Sequence, residues 1–277
     1  MHLCKVRYNK RMVILLHTSK TMRQVTNSST TKSSAPPKET LQLVNYLKSL
    51  NIEQVKKVMS LSDTKARQTF DLIQSFNPKG ATLPALDIFL GDIYSGMQVS
   101  TFTKEDRAYA NDNRLFILSG LYGVLKPLDP VQPYRLEMGY KLPGNAHDTS
   151  QPDITSLYTF WGDKIAKQLP VGETIINVSA VEYTKAVFKY LDTPTIITPK
   201  FLTVSPKTDE PTFVTVHAKI ARGSFARWII QHRIETPEQL KNFNDIGYVY
   251  DTSLSTPNQP VFVAKEFKGL GLSVRLS

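Results

Sequence analysis

Cysteine is almost absent from this sequence of 277 residues, which has Cys4 alone. One thiol excludes an internal disulfide framework and any zinc site built on several thiolates. Long hydrophobic runs are also missing, since none approaches the roughly 18 residues of a bilayer-spanning helix. The composition, 41% hydrophobic and 21% charged, is typical of a globular protein and excludes a disordered chain. We therefore expect a cytoplasmic protein that does not contact membranes.

Familiar catalytic motifs are missing as well. The sequence contains no G-x-G-x-x-G, G-x-x-x-x-G-K-[ST], G-x-S-x-G or H-E-x-x-H pattern. The five histidines, at positions 2, 17, 147, 217 and 232, form no pair at the spacing of metal ligands. The sequence therefore predicts no metal site and no cofactor.

Acidic residues are scarce near the start of the chain. Residues 1–40 hold eight Lys and Arg against Glu39 alone, which is seven of the ten excess positive charges. Such charge favours a nucleic-acid or phosphate partner, but a functional surface requires that the cations cluster. Residues 1–11 lack the apolar segment of a secretory signal, and Met12 begins an apolar strand. We expect residues 1–11 to be a non-native or mis-annotated leader and residues 12–277 to form a single domain.

The hydrophobic pattern predicts both helices and strands. Helical spacing or capping residues predict helices over 39–50, 52–59, 63–76, 153–169, 180–190 and 221–233, with further helices starting at Thr103 and Thr236. Apolar or alternating runs predict strands over 12–17, 114–118, 174–178, 194–204, 212–219, 247–251 and 260–267. Because the two kinds of element do not alternate regularly, the prediction is a mixed α/β (α+β) fold.

Two candidate segments directly follow predicted strands. His17-Thr18-Ser19-Lys20-Thr21 offers hydroxyls, backbone N–H groups and a lysine that can hold an anion; a solvated loop is the alternative. Residues 177–185 lead into a helix, for which Ser179 and Glu182 predict a capping box. Lys185 lies three residues after Glu182, so a structural ion pair is the alternative to an anion site.

A third candidate segment, residues 119–139, contains three prolines and three glycines that restrict its backbone. In an extended chain, Arg135 and Glu137 share a face, so the carboxylate can orient the guanidinium toward a phosphate. A structural salt bridge is the alternative. Lys126, in the same segment, is a further candidate for phosphate binding.

The fourth segment, residues 219–227, has three cations, Lys219, Arg222 and Arg227, at a predicted strand–helix junction. Gly223 lies among them, although glycine within a helix costs about 1 kcal/mol relative to alanine. A close approach between backbone and ligand would explain it. We expect an anion site here, and a solvated basic face is the alternative.

These segments, together with 89–97, 157–165 and 182–187, closely resemble in order the motifs of the YaaA family, the peroxide stress resistance proteins of bacteria. The resemblance implies a cantaloupe-type fold with a basic cleft and a helix-hairpin-helix element, DNA binding, and limitation of intracellular iron under peroxide stress. By motif position it selects Lys20, Arg135, Glu137, Glu182, Tyr183, Lys185, Lys219, Arg222, Gly223 and Arg227. The sequence departs from the family pattern at His17, Thr18, Ser19, Leu90, Ala180, Val181 and Ile220.

Two functions remain open from the sequence. One is binding of double-stranded DNA, mainly through its backbone, with Gly120–Gly123 as a candidate helix-hairpin-helix turn. The other is an enzyme acting on a phosphorylated or nucleotide-like small molecule, with Glu137, Glu182, Tyr183 and Lys185 as catalytic candidates. Both predict that the four segments converge. A closed pocket would favour the enzyme, and an open groove about 20 Å wide would favour DNA.

Overall fold

The computed structural model of the protein describes residues 11–25, 35–144, 153–192 and 195–269. Of the predicted leader, residues 1–10 with Cys4 lie outside the described residues. The described helices are α1 (Lys38–Ser49), α2 (Ile52–Met59), α3 (Asp63–Gln74), α4 (Ala85–Ile88), α5 (Asp92–Met97), α6 (Lys104–Asn111), α7 (Leu157–Trp161), α8 (Val181–Thr184) and α9 (Thr215–Gln231). The described strands are β1 (Met12–His17), β2 (Leu83–Pro84), β3 (Leu115–Ser119), β4 (Gly123–Leu125), β5 (Pro130–Val131), β6 (Thr174–Asn177), β7 (Thr195–Ile197), β8 (Lys200–Val204), β9 (Pro211–Thr212), β10 (Tyr248–Thr256) and β11 (Gln259–Ala264).

The larger sheet has the strand order β4-β3-β1-β6-β7, with β1 at its centre. Strands β1, β3, β6 and β7 are parallel, and only β4 is antiparallel to its neighbour. Residues 12–16 of β1 are all at most 2% exposed. A central parallel strand is covered on both faces, which is why its sequence is a continuous apolar run without alternation.

A second sheet has the order β10-β11-β8-β9, and β2 pairs with β5 in a third, two-stranded sheet. Helix α9 packs on β8 through an aromatic cluster. The ring centroid of Phe225 lies 5.6 Å from that of Phe201 and 5.0 Å from that of Phe243. One continuous cluster of buried apolar side chains includes residues of both larger sheets. The protein is thus a mixed α/β structure, as the sequence predicts. Within the part of the chain that is described, no helix has the length and apolarity to cross a bilayer.

Thr212 is the last residue of β9 and helix α9 begins at Thr215, so the predicted strand over 212–219 is wrong beyond Thr212. Its contact with α5 explains the helix. A Cβ at Gly223 would lie 2.8 Å from the amide nitrogen of Met97 and would overlap the carbonyl oxygen of Ile93. Gly96 meets the backbone of Ile220 in the same way. Gly223 therefore permits two helix backbones to touch, and the expectation that it permits approach of a ligand is corrected.

Three further predictions are corrected. The helix over 153–169 is reduced to α7, because Gly162 takes a positive φ of 50° at its end, and a 3₁₀ turn at Ala166–Gln168 follows. The helix over 180–190 is the single turn α8 with a 3₁₀ turn at Phe188–Tyr190. Gly120–Gly123 joins strands β3 and β4, which pair antiparallel, so it is a β-hairpin turn and the helix-hairpin-helix candidate there is wrong.

Candidate functional site

A cavity lies at the carboxyl ends of β1 and β6. The next strand of this sheet after β1 is β3, which lies toward one edge of the sheet, whereas the strand after β6 is β7, which lies toward the opposite edge. Connections that leave neighbouring parallel strands in opposite directions open a crevice where α/β proteins bind ligands. We call this space, of about 400 Å³, the strand-end cavity. Its lining residues are His17, Thr18, Ser19, Lys20, Thr21, Leu90, Gly91, Asp92, Ile93, Tyr94, Glu137, Ala180, Glu182, Tyr183 and Lys219.

Lys20 and Glu137 form an ion pair at the rim of the cavity, with 2.9 Å between Nζ and Oε2. The lysine side chain is 55% exposed and the carboxylate 18%. The hydrogen bond to Glu137 raises the pKa of Lys20 despite partial burial. Lys20 is therefore charged at neutral pH, and Glu137 is its counter-ion within the protein.

His17, the last residue of β1, is held on three sides. Its Nδ1 accepts a hydrogen bond from the backbone N–H of Ala180 at 3.2 Å. Its ring stacks on Tyr183, with 4.9 Å between centroids, and its carbonyl accepts from the Tyr94 hydroxyl at 3.0 Å. Burial, with the charges of Arg222 and Lys219, lowers the pKa of His17 to about 3. The imidazole is therefore neutral at physiological pH.

Lys219 and Arg222 lie three residues apart on α9, so their side chains leave the helix on one face. Lys219 lines the cavity, and Arg222 is close enough to His17 to depress its pKa. Among the described residues, neither cation makes a hydrogen bond or an ion pair. Burial lowers the pKa of Arg222. These two cations, which we call the α9 cation pair, therefore lack the counter-ion that Lys20 has.

Helix α8 contributes Glu182 and Tyr183. The Glu182 Oε1 accepts from the backbone N–H of Gly139 at 2.8 Å. The Tyr183 hydroxyl lies 3.3 Å from Thr18 Oγ1, and burial raises the pKa of Tyr183 well above its usual value, so the phenol is neutral. The predicted capping box is wrong, since Ala180 occupies the N-cap and Ser179 Oγ is buried without a partner among the described residues.

Four other predicted residues do not line the strand-end cavity. Lys185 is exposed and Lys126 partly exposed, and neither lines the cavity. Arg227 pairs with Asp245, which also accepts from Ser224, so its guanidinium is held within the fold. Arg135 lies near Lys20 and Tyr140, and its Nε is buried without a partner among the residues described.

The structure thus brings five predicted residues together at the cavity: Lys20, Glu137, Glu182, Tyr183 and Lys219. Arg222 adjoins them. Residue-level reasoning missed the wall made by residues 90–94. Gly91 there has a φ of +112°, and a Cβ would lie 2.7 Å from Ser19 Oγ. The sequence signal for this wall was Gly91, a glycine between a buried segment and the acidic first residue of a helix.

A larger concavity, of about 940 Å³, lies on the other side of Lys20. It is lined by residues of α1 and α2 and by the segment around Tyr140. The strand-end cavity differs from it in concentrating both signs of charge, with cations and the carboxylates of Asp92, Glu137 and Glu182. Within the described ranges, no group of three or more His, Cys, Asp or Glu residues could hold a metal ion. The cavity therefore offers cations to a hydrogen-bond acceptor and carboxylates to a hydrogen-bond donor.

Comparison with known proteins supports the family that the order of the sequence motifs indicates. The family described as peroxide stress protein YaaA matches residues 12–254. A UPF0246 protein of Salinispora tropica is 47% identical over 266 residues, which is 95% of this chain and 98% of that protein. UPF0246 proteins of Roseobacter denitrificans and Marinomonas sp. are 38% and 36% identical, over 81% and 92% of this chain and 87% and 98% of their own lengths. The chain belongs to the YaaA family of peroxide stress proteins.

Proposed function

We propose that the protein acts in the response to hydrogen peroxide by binding a phosphorylated or nucleotide-like small molecule in the strand-end cavity. The observation that carries the proposal is the α9 cation pair, Lys219 and Arg222, which has no counter-ion among the described residues. A phosphate oxygen can accept from both side chains, and an arginine binds it with two parallel hydrogen bonds.

The energetics favour a bound anion. A partly buried guanidinium without a partner is unfavourable, because it has lost water and gained no compensating interaction. Two neighbouring cations repel as well, and together with burial, the larger cause, they lower the pKa of His17. An anion between Lys219 and Arg222 removes both costs at once.

The size and chemistry of the cavity favour a small molecule over a strand of nucleic acid. Its volume of about 400 Å³ matches a ligand of nucleotide size. Glu137 and Glu182 would repel a second phosphate but accept hydrogen bonds from sugar hydroxyls or base amino groups. Such a mixture of carboxylates, cations and a neutral phenol is also that of an enzyme, in which Glu137 could exchange a proton with the substrate.

Calorimetric titration with inorganic phosphate, AMP and ADP tests this proposal. Lys219→Ala and Lys185→Ala form a matched pair, since both remove one lysine but only Lys219 lines the cavity. We expect Lys219→Ala and Arg222→Ala each to weaken binding roughly 10- to 100-fold, the range of a charged hydrogen bond. Lys185→Ala is expected to bind like the unmodified protein. Equal loss in the two lysine variants, or no binding to the unmodified protein, contradicts the proposal.

Binding of double-stranded DNA, through which the protein would limit iron-dependent damage, is the second candidate. It is supported by the net charge of +10 and by helices α2 and α3, which pack together across the short turn Ser60–Ser62. Lys57, Lys65 and Arg67 are exposed on this helical pair. A helical pair of this kind could present cations to a DNA backbone, and the family's cantaloupe-type fold with a basic cleft would fit the same proposal.

Fluorescence anisotropy with two unrelated duplexes at two salt concentrations tests this candidate. Binding through the backbone predicts similar affinity for both sequences and a steep loss with salt. The double variant Lys57→Ala/Lys65→Ala should weaken it, and Lys219→Ala should not. Affinity that survives high salt, or that differs a hundredfold between the duplexes, contradicts this candidate.

A further inference from the structure

We propose that His17 is a specificity-determining residue of the strand-end cavity: its neutral imidazole donates a hydrogen bond from Nε2–H to an oxygen of the bound phosphate. The inference rests on the proposed function, because it concerns the same anion. The inference extends the proposed function by assigning His17 as a third donor beside Lys219 and Arg222. It also excludes a role for His17 as a general base.

The protonation of the ring follows from the hydrogen bond to Ala180. A backbone N–H can only donate, so Nδ1 of His17 must present its lone pair. A neutral imidazole has one proton, which must then be on Nε2. The tautomer is therefore determined by the main chain of the segment between β6 and α8.

His17 lines the cavity, and Nε2 is the ring nitrogen without a hydrogen bond to the described part of the protein. No hydrogen bond joins His17 Nε2 to any of the described residues, and the atom is not sealed inside the protein. The ring cannot rotate away without losing the stack on Tyr183 and the bond from Ala180. The Tyr94 hydroxyl fixes the carbonyl of His17 as well. The donor is thus held in place before the ligand arrives, which lowers the entropic cost of binding.

Burial and the neighbouring cations keep the ring neutral. Lys219 and Arg222 from α9 lie near His17, Tyr183 stacks on its ring, and Lys20 lies three residues along the chain. The carboxylates of the cavity are those of Asp92, Glu137 and Glu182. Burial and the two α9 cations lower the pKa of His17 to about 3. Its Nδ1 lone pair is already occupied by the Ala180 N–H and its proton is on Nε2, so the ring has no free lone pair with which to act as a general base. A neutral His17 can donate to an acceptor without adding a positive charge beside the two cations of α9.

Two substitutions distinguish the role of Nδ1 from the role of Nε2. In His17→Asn the side-chain oxygen reaches the position of Nδ1 and can accept from Ala180, but no atom reaches the position of Nε2. In His17→Gln the amide group reaches the position of Nε2 and can donate. Titration with inorganic phosphate is expected to show a roughly 10- to 100-fold loss for His17→Asn and less than about a fivefold loss for His17→Gln. Arg222→Ala is titrated in parallel, because its loss of phosphate affinity tests whether phosphate binds at the α9 cation pair.

The outcomes are distinct. If Arg222→Ala loses phosphate but His17→Asn binds like the unmodified protein, the inference is overturned and the proposed function stands. Equal weakening by Asn and Gln assigns His17 a packing role and also overturns the inference. Failure of the unmodified protein to bind phosphate overturns both.

A measurement on the unmodified protein covers the case in which the variants do not fold. Long-range ¹H–¹⁵N NMR spectra should show the His17 ring protonated at Nε2 and unprotonated at Nδ1 at neutral pH. Added phosphate should shift the Nε2–H resonance. A ring protonated at Nδ1, or an Nε2–H signal that does not respond to bound phosphate, overturns the inference.

Discussion

Substitution of Gly223 by alanine is expected to destabilise the protein, although alanine favours helices. In an isolated helix the change would stabilise by about 1 kcal/mol. At the crossing of α9 with α5, however, the new Cβ would overlap the carbonyl oxygen of Ile93 and lie 2.8 Å from the amide nitrogen of Met97. Neither is the flexible end of a side chain, so the two helices must separate.

The magnitude follows from these two opposing effects. Overpacking of a close contact costs about 1–3 kcal/mol and occasionally more, and contacts with backbone atoms belong to the upper part of that range. We expect a net loss of roughly 2 kcal/mol or more in the free energy of unfolding for Gly223→Ala. With an m-value of about 2–3 kcal/mol/M, the urea midpoint should fall by about 1 M.

Urea unfolding followed by circular dichroism measures the effect. Gly172→Ala is a suitable control, because Gly172 has a φ of +78° but a Cβ added there would have no heavy atom within 4 Å. It should lose only the roughly 1–2 kcal/mol of a left-handed backbone. A Gly223→Ala variant as stable as the unmodified protein, or more stable, would refute the close helix crossing and return Gly223 to a role in ligand binding.

Two further predictions concern charged groups. Arg227→Ala should reduce the free energy of unfolding by roughly 1–3 kcal/mol, since it leaves partly buried Asp245 without its cation, but should leave phosphate affinity within threefold in calorimetry. Weaker phosphate binding at unchanged stability would contradict this. Folded His17 stays neutral down to about pH 3, whereas the unfolded chain protonates this residue below about pH 6.5. The unfolded state therefore binds one more proton between these values, so the free energy of unfolding falls as the pH drops below 6.5. Between pH 7 and pH 5 the loss should be about 2 kcal/mol, and His17→Asn should lack it; an identical pH dependence in both proteins would argue against the depressed pKa.

Local elements with strong sequence patterns were predicted well. Helix α2 has the predicted bounds, and α6 has the predicted capping box between Thr103 and Asp106. Strand β1 also has the predicted bounds, because its five consecutive apolar residues, 12–16, are accommodated at the covered centre of a sheet. Predictions that depended on weaker patterns failed at 153–169 and 212–219, where a glycine ends a helix and a helix–helix contact overrides strand-like alternation.

The sequence by itself determined which residue types were available for chemistry, and motif order was enough to indicate the family. It could not determine which cations have partners, because pairing depends on residues distant in sequence. Arg222 and Arg227 are five residues apart on one helix, but Asp245 pairs with Arg227 and no described residue pairs with Arg222. The neutral state of His17 was equally hidden, since it requires burial of the ring at the end of β1 beside the cations of α9. Only the tertiary structure decided these properties, because electrostatic interactions act through space and not along the chain.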